Sequence, residues 1–142
     1  MYDLRDILTT GISAKTVHTV TITDTAGKYA TGFEDLLSTA AVIRMAVQTS
    51  IEAIEKYMPE GYVSIGRSVE FEHTAPTRIG MKVTIEATVT DVQPLFIVLD
   101  IKASDEVGEI GFGKHKRSII TTENLIAKSK KRQDTLSNNR PF

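Results

Sequence analysis

From residue 62 onward, apolar and polar positions alternate with a period of two, interrupted at intervals by Gly and Pro. Over residues 62–74, Val63, Ile65, Val69, Phe71 and His73 share one face. Over 81–92, Met81, Val83, Ile85, Ala87 and Val89 point one way, and Lys82, Thr84, Glu86, Thr88 and Thr90 the other. Over 95–104, Leu95, Ile97, Leu99, Ile101 and Ala103 oppose Asp100, Lys102 and Ser104. After a turn at Val107-Gly108, residues 109–122 carry a last strand containing Gly111 and Gly113. This period predicts strands with one buried face each. Their short connections favour an antiparallel meander.

The first half reads differently. Residues 16–23 (TVHTVTIT) are rich in β-branched side chains and predict a first strand. Residues 24–37, with Gly27 and Gly32, predict a loop or short helical cover. A helix follows from about Ser38 to Met58, capped by Ser38 or Thr39 and ended by Pro59 and Gly61. Arg44, Gln48, Glu52, Glu55 and Lys56 form one narrow polar side, and most of the remaining circumference is apolar. A helix of that kind must be wrapped. The expected architecture is α+β, one long helix against a curved antiparallel sheet. Residues 1–126 form the expected domain, and 127–142 a polar, basic, flexible tail with KSKKR at 128–132. A solvated terminus is the default for such a run. A cover for a phosphate-bearing ligand or RNA is the sharper reading, and no interleaved aromatics support RNA.

Composition narrows the possible partners. Hydrophobic residues make up 41% and charged residues 25%, as in an ordinary globular domain. A formal net charge of −1 gives no global field toward nucleic acid or an anionic membrane, and neither is expected as a partner. With no cysteine, disulfides, thiolate nucleophiles and Cys-based metal sites are excluded. The opening MYDLRDILTTGI carries acidic residues and does not read as a signal peptide. The apolar stretch from Leu36 to Val47 is broken by Arg44 and too short to span a bilayer. A cytoplasmic protein is expected.

Candidate chemistry lies in polar groups at apolar positions. There is no Gly-rich phosphate loop, no G-x-S-x-G elbow and no closely spaced His and acid pair fit for a metal, so neither metal nor cofactor is expected. His73 continues the inward face of Val69 and Phe71, either as a core histidine held by backbone or as a base acting on water. Thr39 either caps the helix or, with the N-terminal N–H groups, faces a developing oxyanion. Gly66 marks a bulge or a close backbone approach. Lys114, His115, Lys116 and Arg117 beside Gly111 and Gly113 form a charged sheet edge or an anion site.

The order strand, cover, buried helix and sheet resembles a hotdog fold. The blocks LLSTAAVIRMAV, GRSVEFEHTAPTRIGMKVTIEATVTDV and GEIGFGKHKRSII resemble the fluoroacetyl-CoA thioesterase type, from about Leu36 to Ile120. The resemblance implies an acyl-CoA substrate and a homodimer, or dimer of dimers, with sheets joined edge to edge and sites at the interface. It implies that Thr39 and His73 are catalytic and that Gly66 and Arg117 lie at the substrate. The family's glutamate is replaced by Val47, which becomes part of the substrate-binding surface. The expected function is hydrolysis of a short or modest acyl-CoA. The alternatives are a non-catalytic acyl-CoA or small-ligand binder and a purely structural dimer. A hotdog hydratase would need an Asp a few residues before a His, and none stands there.

Overall fold

The computed structural model describes residues 2–28, 30 and 32–138. Five strands form one antiparallel sheet: β1 (Ser13–Thr19), β2 (Tyr62–His73), β3 (Lys82–Val92), β4 (Ile97–Ser104) and β5 (Glu109–Thr121). The long helix α1 (Thr39–Ile54) continues into a 3-10 turn, Glu55–Tyr57, and packs against the sheet. This is the α+β arrangement the patterning predicts.

The alternation translates into burial almost residue for residue. Val83, Ile85, Ala87 and Val89 of β3 and Ile97, Leu99, Ile101 and Ala103 of β4 are at most 1% exposed. They meet Val42, Met45, Ala46, Ala53 and Ile54 of α1. Leu95 departs from the prediction: it is exposed in the β3–β4 turn, and β4 begins only at Ile97. The first strand also ends early. Asp24 accepts both the N–H and the hydroxyl of Thr21 at 3.0 Å, so TITD closes a 3-10 turn instead of extending the strand.

The strand order, β1-β3-β4-β5-β2, corrects the expected meander. Only β3, β4 and β5 are consecutive neighbours. The connection after β2 is too long for a tight hairpin and crosses the end of the sheet. Thr77 anchors it: the Leu37 N–H donates to its carbonyl at 2.9 Å, and its hydroxyl to Asp105 at 2.8 Å. β2 therefore lies at an edge, paired only with β5. A side chain at Gly113 would run into the backbone of Glu70, so this glycine serves close pairing with β2.

The expected tail is helical through the described residues. β5 runs into α2 (Thr122–Asn138), whose start is held by the Thr121 hydroxyl on the Asn124 N–H at 3.0 Å. Thr122 also donates to the Gly61 carbonyl at 3.0 Å. Residues 139–142 lie outside the described residues.

Candidate active site

The choice between Ser38 and Thr39 as cap is decided by geometry. Ser38 accepts the Ala41 N–H at 3.0 Å, leaving the Thr39 hydroxyl to reach across to β2. There it meets His73 Nδ1 at 2.9 Å. The other imidazole nitrogen, Nε2, is buried without a hydrogen-bond partner among the described residues. Buried polar atoms are almost always paired, so an orphaned one calls for a functional account. Desolvation pushes the His73 pKa below its ordinary value, against a smaller opposing contribution from the Ala75 backbone. The ring is therefore neutral at pH 7, with one nitrogen steered by a hydroxyl and the other bare. Thr39 and Ala40, at the first turn of α1, add the positive end of the helix dipole beside it.

A second cluster forms around Arg117. The sequence pattern allowed a charged sheet edge here, but β5 lies between β4 and β2. Alternation sends Lys114 outward and buries His115 and Arg117, which are 2% and 4% exposed. Arg117 donates through Nε to the Ser64 hydroxyl at 3.1 Å and through Nη2 to the Ser64 carbonyl at 2.9 Å. It donates through Nη1 to His115 Nε2 at 3.0 Å. His115 Nδ1 then donates to the Ser68 carbonyl at 2.9 Å, which defines its neutral tautomer. Desolvation lowers the His115 pKa first; the Ser68 backbone opposes this, and the charge of Arg117 adds to the lowering. Desolvation lowers that of Arg117 as well, and no carboxylate pairs with it among the described residues.

Gly66 joins both features foreseen for it. The β2–β5 register shifts between Gly66 and Ser68, and a Cβ at Gly66 would stand 3.3 Å from Arg117 Nη1 and 3.4 Å from His115 Cε1. The missing side chain opens a path to a buried cation. Sequence reasoning missed the roles of Ser64, Ser68 and His115. The K-H-K-R alternation was the available signal, because it places His115 and Arg117 on one face.

Val47 is half-buried on α1, two turns and about 12 Å of rise beyond Thr39. The two carboxylates preceding α1 are engaged elsewhere. Glu34 accepts the Gly32 N–H at 3.1 Å, and Asp35 pairs with Arg78 at 3.0 Å. Gln48, Glu52 and Glu55 are exposed. The structure thus brings Thr39 and His73 together, and Gly66 and Arg117 together, but the two pairs are well apart. About 23 Å of extended strand separates Gly66 from His73.

A curled five-stranded antiparallel sheet around one helix is the hotdog fold, and its solved counterparts include thioesterases. A crystal structure of a hot-dog-like protein from Thermanaerovibrio acidaminovorans matches with a TM-score of 0.87 at 30% identity, over 92% of this chain and 96% of that one. A fluoroacetyl-CoA-specific thioesterase variant, solved with fluoroacetate and CoA, matches at 0.78 and 25% identity, over 83% and 99% of the two chains. The fluoroacetyl-CoA thioesterase of Streptantibioticus cattleyicolor is 30% identical over 96 residues, 68% of this chain and 69% of that protein. The family model described as fluoroacetyl-CoA-specific thioesterase matches residues 20–123. The chain belongs to this thioesterase family. Among the described residues, no helix is long and apolar enough to cross a membrane.

Proposed function

We propose that the protein is a cytoplasmic, homodimeric thioesterase that hydrolyses an acyl-CoA with the Thr39–His73 pair. The observation that carries this reading is the bare, buried Nε2 of a neutral His73 whose Nδ1 meets Thr39 at a helix N-terminus. With Nδ1–H donating to the Thr39 hydroxyl, Nε2 accepts a proton from water as the water oxygen bonds to the thioester carbon. The oxyanion is held by the first-turn N–H groups of α1. Collapse breaks the carbon–sulfur bond, and His73 returns its proton to the leaving thiolate. The products are a carboxylate and free CoA.

The separation between the two clusters supports the dimer. If β2 pairs antiparallel with β2 of a second copy about an axis between Val69 and Glu70, Gly66 stands opposite the second copy's His73. Arg117 then lies beside the same thioester. The unpaired edge of β2 and the exposure of Gly66, Arg67 and Ser68 support this docking.

Free-thiol release from acyl-CoA thioesters over hours, above a His73→Ala control, tests the reading. A second reading rests on Val47, which has no acid-base chemistry where the family carries glutamate. It makes the protein an acyl-CoA binder. Thermal stabilisation by acyl-CoA without turnover would select it.

A further inference from the structure

We infer that the substrate carries a neutral aliphatic acyl chain longer than acetyl, and that Val47 and a groove at the far end of α1 receive its tail. This rests on the thioesterase reading and deepens it.

The polar side of α1 is narrow, and beside it runs a stripe outside the sealed core. Ile43, Val47 and Ile51 follow Thr39 at four-residue intervals, all three only half-buried. They are apolar yet partly open, whereas Val42, Met45, Ala46 and Thr49 form the fully buried face of the same helix. The stripe ends, about 18 Å of rise beyond Thr39 and so out of reach of a hexanoyl chain held at that residue, in a groove of about 400 Å³ whose lining includes Ile51, Met58, Pro59, Tyr62 and Val63. That volume falls in the range of small-molecule sites. Arg117 also lines the groove, so in the proposed dimer the groove and the Val47–Ile51 end of the stripe in one copy adjoin the thioester held by Thr39 and His73 of the other.

Two features decide the chemistry of the tail. A glutamate at position 47 would place a charge in the middle of the stripe; valine keeps it apolar from Ile43 to Ile51. Glu55 and Glu60 line the groove and repel an anionic tail, while Arg117, the one cation lining it among the described residues, already donates to Ser64 and His115. A neutral hydrocarbon fits this lining better than an ω-carboxylate.

The test is a chain-length series on the full protein: acetyl-, butyryl-, hexanoyl- and octanoyl-CoA, with succinyl-CoA as the anionic probe. kcat/KM is expected to rise about fourfold per added methylene through hexanoyl, chiefly through KM; fourfold is the ~0.8 kcal/mol of burying a methylene. Ile51→Trp, with Met58→Trp as a second variant and melting curves for both, is expected to flatten that slope. Melting with the non-hydrolysable S-alkyl-CoA series separates binding from chemistry, because stabilisation by a ligand follows its affinity. A flat or falling profile, or a preference for succinyl-CoA, would overturn the inference and leave the thioesterase intact. Stabilisation that grows with chain length without turnover would keep the groove and remove the hydrolysis. No turnover and no length-dependent stabilisation would remove both.

Discussion

The two inward histidines should respond to alanine substitution in opposite ways. His73 is half-buried; among the described residues its side chain bonds to a threonine exposed enough to turn to water, and its Nε2 has no partner. Removing it relieves a desolvated nitrogen as well as deleting packing, so about 1 kcal/mol or less of stability should be lost. His115 is 2% exposed and bonded at both nitrogens. Its removal leaves a cavity, an unpaired Ser68 carbonyl and an Arg117 short of one acceptor, for a loss of roughly 3–5 kcal/mol. At about 3 °C per kcal/mol for a chain of this size, the expected shifts in melting temperature are ~3 °C or less and ~10–15 °C. Activity should separate the other way for the folded fraction. His73→Ala should lose about 10²–10⁴ in kcat, the usual worth of a placed base. Circular dichroism melts and free-thiol release from hexanoyl-CoA measure both quantities. A His73→Ala protein with parental turnover, or one that melts as low as His115→Ala, would make His73 a core residue and refute the argument.

Val47→Glu should raise acetyl-CoA turnover relative to octanoyl-CoA, by supplying a carboxylate and interrupting the apolar stripe. Burying the charge should cost several kcal/mol unless water or His73 receives it, and a folded mutant with an unchanged profile would refute the stripe. Acid should both inactivate and destabilise the protein. His73 and His115 have lowered pKa values in the fold, so the unfolded chain binds more protons there. Their contribution is full above about pH 6.5 and is lost as pH falls through the folded values; a melting temperature unchanged from pH 7.5 to 5 would contradict this. Sedimentation at micromolar concentration should give a dimer or dimer of dimers, and a stable monomer would leave Gly66 and His73 too far apart to share a substrate.

The chain alone determined what depends on local period and side-chain chemistry. Period-two alternation gave β3 and β4 with their buried faces, because a strand that buries one side can place Val83, Ile85, Ala87 and Val89 in only one way. The nearly apolar circumference of α1 required a sheet around it, and the inward place of His73 on β2 was legible from Val69 and Phe71. Pairing was not legible, because antiparallel neighbours are chosen by the paths of the connections, and the long β2–β3 link permits either partner. That choice placed β5 inside the sheet and turned an expected charged edge into a buried Arg117–His115 pair. The Thr39–His73 bond was likewise decided by tertiary structure. Either Ser38 or Thr39 could cap the helix, and only the packing of α1 on β2 left the Thr39 hydroxyl within reach of the imidazole.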